Sequence, residues 1–233
     1  MDYSEISNKL VNILKLEGKP VAVSLLTRED EIPDGMEIVT EPLRHCQMLQ
    51  NARKKDEITL ATDAEHSCKG GAAAIGLIDY PDNIKSGALY FGKLDKEISL
   101  GIAKRVVDNM PRPSPGSIVA TIIAPLDKTP IRPDVIVIFT NVLAARRIVH
   151  AVIYRHGGRV TSNFAGIQST CADAVGSPYT TGQINVSVGC DGAARNAGLT
   201  DDELVVGIPA ELIEDITDIL DQRAQGWDDW MRS

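Results

Sequence analysis

Aromatic side chains are scarce in this chain: Phe, Trp and Tyr make up only 4% of its 233 residues. Its core must therefore be built from aliphatic residues. Cysteine is scarce too, at four. That is too few to staple a fold of this size with disulfides, yet enough for one complete metal site. No basic excess exists. Up to Gly116 there are 15 basic and 18 acidic residues, and beyond it 9 and 14, for a net charge of −8. Neither half offers the footprint of a nucleic-acid binder. The densest basic cluster, Arg53-Lys54-Lys55, runs straight into Asp56-Glu57 and reads as the solvated end of a helix. Long apolar runs are also missing. Ile118–Ala124 and Val135–Phe139 are strand-sized, so no membrane span is expected. The first five residues are acidic and lead into an amphipathic segment rather than a signal peptide's apolar core. A cytoplasmic protein with reduced thiols is the expectation.

What is present is 43% apolar and 24% charged, a globular composition. Ile6, Leu10, Ile13 and Leu14 predict a helix over 5–16, and residues 20–26 a strand. Pro42 opens a helix carrying Cys46. Ile58–Thr62 reads as a strand, followed by Cys68-Lys69-Gly70-Gly71 and an Ala-rich helix. Ala88–Gly92 reads as a third strand, and Ile98–Met110 as a helix stopped by Pro111.

The strongest punctuation is Pro111-Arg112-Pro113-Ser114-Pro115-Gly116, near the midpoint. The two sides resemble each other. Cys68–Leu77 aligns without gaps to Cys190–Leu199 with five of ten positions identical, and Cys46 and Cys171 precede these by 22 and 19 positions. Val135–Thr140 matches the first strand, Gln183–Val188 the second, and Glu203–Gly207 matches Ala88–Gly92. Leu212–Leu220 forms a terminal helix like the one ending at Met110. The expected fold class is α/β: two homologous halves, 1–116 and 117–233, separate or in one compact domain. They would be related by a pseudo-two-fold axis, with mixed or parallel sheets flanked by helices.

The duplication sorts the cysteines into two equivalent pairs. Cys68 and Cys190 each lie between a predicted strand and helix, where free N–H groups and the helix dipole favour a thiolate. A shared centre would take two thiolates from each half. Cys46, Cys68, Cys171 and Cys190 would then ligate an iron–sulfur cluster of the 4Fe–4S type, with zinc as the runner-up. No CxxC or zinc-ribbon spacing supports this, and ordinary buried thiols explain the four residues as well. His45 and His66 adjoin the first pair and have no ligating counterparts in the second. They are the candidate acid–base groups of a thiol enzyme. Lys69, Gly70, Gly71, Gly192 and Arg195 form a candidate anion cradle, though no GxGxxG or P-loop is present. A small-molecule protein binding an anion or nucleotide therefore stands beside the metal reading. The partner is either a small anionic molecule or a redox protein, and a homo-oligomer stays open.

The Cys46 segment, the His66-Ser67-Cys68-Lys69-Gly70-Gly71 turn and Cys190-Asp191-Gly192-Ala193-Ala194-Arg195 with Gly207-Ile208-Pro209 carry a resemblance. They resemble domain-of-unknown-function family 169, found mainly in archaea and anaerobic bacteria. The resemblance covers nearly the whole chain and implies no reaction, so no residue takes a role from it. An anaerobic setting suits an oxygen-sensitive cluster, and equally lets free thiols persist.

Overall fold

The computed structural model describes residues 2–232, the side chains at 225 and 228–232 apart. Helix α1 (Tyr3–Leu14) starts where the Asp2 carboxylate accepts the N–H groups of Ser4 and Glu5, and ends at left-handed Lys15. Then come β1 (Val21–Leu26), α2 (His45–Lys55), β2 (Thr59–Ala61), α3 (Lys69–Ala74) and α4 (Asp82–Lys85). A π-helical turn (Leu89–Lys93) precedes α5 (Leu100–Asp108) and β3 (Ala120–Pro125). The chain continues through β4 (Val135–Thr140), α6 (Val142–Ile153), a π-helical segment (Ser169–Gly176) and α7 (Ser177–Thr181). It ends with β5 (Asn185–Ser187), α8 (Asp191–Ala197), β6 (Leu204–Pro209) and α9 (Ile213–Arg232).

All six strands form one sheet in the order β2-β3-β1-β4-β6-β5, and every pairing between them is antiparallel. The expectation of a mixed or parallel sheet is thus corrected. Its basis was the alternation of strands and helices along the chain, which reports layering and does not fix strand direction. Both faces are indeed covered. Alternation sends Val21, Val23 and Leu25 to one face, where Met48, Leu49 and Ala52 of α2, the Ala-rich α3 and Val175 pack on them. Ala22, Ile136, Ile138, Val206 and Ile208 point the other way, against α1, α6 and α9. The result is a sheet between two helical layers.

Ala88–Gly92 is not a strand. It is the π-helical turn, whose Tyr90 ring is buried in a satellite cluster with Tyr80, Ile84 and Val107. The preceding Gly87 has φ +82°, and a Cβ there would fall 2.4 Å from the Lys104 nitrogen. This tight approach turns the chain away from an extended course. The match of Ala88–Gly92 to Glu203–Gly207 fails with it, and so does the match of α5 to α9, since α5 precedes its strand and α9 follows. Of the Trp227–Trp230 segment, Trp227 packs on the α1/α6/α9 layer. The side chains of the other three residues lie outside the described ones. No helix among the described residues is long and apolar enough to cross a membrane.

Candidate functional site

The four cysteines come from four elements on the α2 side of the sheet. Cys46 is in the first turn of α2, Cys171 is inside the π-helical segment, and Cys68 and Cys190 immediately precede α3 and α8. All four line one cavity of about 540 Å³. Cys68 and Cys190 have extended backbones, and neither side chain caps its helix. The glycines two and three positions on lie beside the sulfurs at ordinary contact distances. A Cβ at Gly71 would lie 3.8 Å from Cys68 Sγ, and one at Gly192 3.8 Å from Cys190 Sγ. With six and seven residues, α3 and α8 supply only a small macrodipole. Proximity and burial dominate instead. Burial pushes the Cys46 thiol up to about 11, and the nearby Cys190 and Cys68 add to this while Arg44 opposes it. Burial, and then the other three cysteines, push Cys171 well above the ordinary thiol range. These are thiols that ionise only when positive charge arrives. Among the described residues, no three His, Cys, Asp or Glu side chains cluster closely enough to hold a single metal ion.

The expected site residues fall into two groups. His45, Gly70, Gly71, Gly192 and Arg195 line the cavity with the cysteines. Lys69 and His66 are not among its lining residues. The Lys69 ammonium donates to the Asp63 carbonyl. His66 is fully buried and its Nδ1 donates to the Thr62 carbonyl at 2.7 Å. The His45 and His66 rings stack with centroids 6.0 Å apart. Burial, with His66 beside it, pulls His45 down to about 3, so this imidazole is neutral. Among the described residues, neither of its nitrogens has a hydrogen-bond partner.

Sequence reasoning missed Arg44, Lys93, Lys96, Tyr90 and Gln168, which also line the cavity. Gln168 sits left-handed (φ +53°) at the head of the π-helical segment. Its Oε1 accepts from Tyr80 Oη at 2.8 Å, and its Nε2 donates to Tyr90 Oη at 2.7 Å. Lys96 pairs with Asp191 at the start of α8, joining the stretch after the π-helical turn to the second cysteine helix. The one available signal was the Gln168-Ser169-Thr170-Cys171 run; nothing nearby marks the rest. Behind Cys171, burial raises Asp173 to about 7 against the opposing Ser187 hydroxyl, which donates to it at 2.6 Å.

A family model described as "Uncharacterised ArCR", domain-of-unknown-function family 169, matches residues 9–218. The chain belongs to this family. It is also 40% identical over 231 residues to "Uncharacterized protein MJ0308" of Methanocaldococcus jannaschii, covering 97% of this chain and 98% of that one. No solved structure matches the family 169 chain. All four cysteines of the cavity fall inside the matched span.

Proposed function

We propose that the four-cysteine cavity holds an iron–sulfur cluster of the 4Fe–4S type and that the protein is a redox or small-anion-handling protein. One observation carries this reading: four thiols from four separate elements line a single cavity. The chain has no other cysteine. Burial and the neighbouring cysteines keep two of these thiols neutral, and they would give up their protons only to a cationic core. A single zinc ion with Zn–S bonds of about 2.3 Å would need sulfurs about 3.8 Å apart, and the described residues present no such compact group. A cubane takes one thiolate on each of four irons and spreads its ligands farther, which favours the cluster over zinc. With a thiolate on every iron, the cluster would supply one-electron chemistry.

The two halves are, in this reading, products of a duplication related by a pseudo-two-fold axis between β1 and β4. The sheet order supports it, running β2-β3-β1 from one edge and β5-β6-β4 from the other. Registers agree as well: Val21 faces Pro125 as Val135 faces Pro209, and Thr59 faces Ile123 as Asn185 faces Gly207. On these grounds β3, not Ala88–Gly92, is the counterpart of β6. Residues 78–118 are then an addition to the first half, and the first repeat extends past 116.

Anaerobically purified protein is expected to be brown, with iron and acid-labile sulfide near four each per chain. Cys190→Ser and Cys68→Ser should each lower both. Colourless, iron-free protein that also resists reconstitution with ferrous iron and sulfide would end the cluster reading.

A further inference from the structure

The cavity carries groups that four thiolate ligands leave unused. Arg44, Lys93, Lys96 and Arg195 line it against one carboxylate, Asp191, which Lys96 takes. Arg44, Lys93 and Arg195 form no ion pair among the described residues. In a chain of net charge −8, three cations lining one cavity with no ion pair among the described residues are a local reversal of sign. Two buried polar groups stand with them. Tyr90, 5% exposed, accepts from Gln168, which in turn accepts from Tyr80, so the Tyr90 proton has no acceptor among the described residues. His45, 1% exposed, has both ring nitrogens unpartnered among the described residues. Buried donors of this kind are costly without a partner. The remaining wall is apolar: Ile84, Leu89, Leu94 and Ile167. At about 540 Å³ the cavity falls in the range of small-molecule sites.

We infer that this cavity binds a small organic anion. Its oxyanion head meets Arg44, Lys93, Arg195 and the Tyr90 hydroxyl, and its apolar body lies against Ile84, Leu89, Leu94 and Ile167. Charge selects the head, and the apolar wall separates such a molecule from a bare inorganic ion. The inference shares its cavity with the cluster reading but not its metal, so either can fail alone.

Equilibrium dialysis of the full chain against radiolabelled phenylacetate tests it, with phenylacetamide and inorganic phosphate as parallel arms. Saturable binding of one phenylacetate per chain is expected, with the amide and phosphate each at least about tenfold weaker. Arg195→Gln should weaken phenylacetate about tenfold, and Tyr90→Phe about three- to tenfold, with far-UV circular dichroism unchanged. Cys190→Ser should lower iron while phenylacetate still binds, which separates this site from the cluster. No saturable binding at millimolar concentrations, or equal binding of the amide, would overturn the inference. So would phosphate binding as tightly as phenylacetate, or Arg195→Gln binding unchanged.

Discussion

Arg53 illustrates how little of a residue's role its neighbours in sequence reveal. In the chain it belongs to a basic cluster that reads as a solvated helix end, and Lys54 and Lys55 are indeed exposed. Arg53 is buried. It pairs with Glu203 at 2.5 Å, with side-chain exposures of 3% and 12%, and its guanidinium lies 4.9 Å from the Phe139 ring centroid. The pair ties α2 to the turn before β6, across the cavity layer. Burial alone would raise the Glu203 pKa, but hydrogen bonds from Arg53 and the Thr200 N–H, with the Arg53 charge, bring it below the ordinary glutamate value. A depressed carboxylate contributes stability above its unfolded pKa and loses it as pH falls through the lower folded value. Denaturant melts of the wild type and Glu203→Gln should therefore converge as pH drops below about 4.3. At neutral pH, Arg53→Ala should cost about 3–5 kcal/mol by leaving a buried carboxylate unpaired. An Arg53→Met/Glu203→Leu double variant should cost less than either single change. Parallel pH profiles for wild type and Glu203→Gln would contradict this account.

At the scale of elements, the regular pieces were legible and the irregular ones were not. Helices α1, α2 and α5 and strands β1, β2, β4 and β5 fall within a few residues of their expected spans, because one-sided or continuous apolar spacing marks them directly. The π-helical pieces left no such mark. Ala-Leu-Tyr-Phe-Gly reads as a strand by residue preference, yet Tyr90 is fixed by partners 10 and 78 residues away in the chain, Tyr80 and Gln168. Strand direction was equally hidden, since a strand buried on both faces looks the same in either orientation. Gly207 shows what holds the second π-helical piece. A Cβ there would come within 2.0 Å of the Ala174 carbonyl, so the Cys171 segment rests directly on bare β6 backbone. Gln168 fixes the segment's other end, and its contribution can be isolated. Replacing it with glycine relieves the positive φ while deleting both tyrosine bonds. Gln168→Gly is expected to lose about 1–2 kcal/mol in chemical denaturation despite the easier backbone. A variant as stable as wild type would mean that the Tyr80–Gln168–Tyr90 chain does not secure the segment.

Across the whole molecule, the grouping of the cysteines was readable because both pairs recur in the same order beside the same Gly-turn. Of the cationic residues there, Arg195 was readable, but Arg44 and Lys93 were not, since they come from distant segments with no shared pattern. The sheet divides the protein into unequal layers. On one side α1, α6 and α9 bury a continuous aliphatic core around Leu10, Ile148, Ile213 and Leu220. On the other, α3 and α8 are short and Gly/Ala-rich, and they converge with α2 and the Cys171 segment on a cavity. This side has its own packed core against the sheet, but the cysteine-bearing ends of α2, α3, α8 and 169–176 meet at the cavity, so their order should depend on what fills it. Chelation of a cluster-loaded sample should then raise amide hydrogen exchange in α2, α3, α8 and 169–176. Exchange in α1, α6 and the 213–224 part of α9 should stay unchanged. The far-UV spectrum should change little, because the sheet and the α1/α6/α9 layer persist. Uniform loss of protection across both layers would mean that the fold melts as one unit and that the sheet does not insulate one face from the other. Selective loosening would identify the cysteine layer as the part of the molecule whose order is conferred by its bound group.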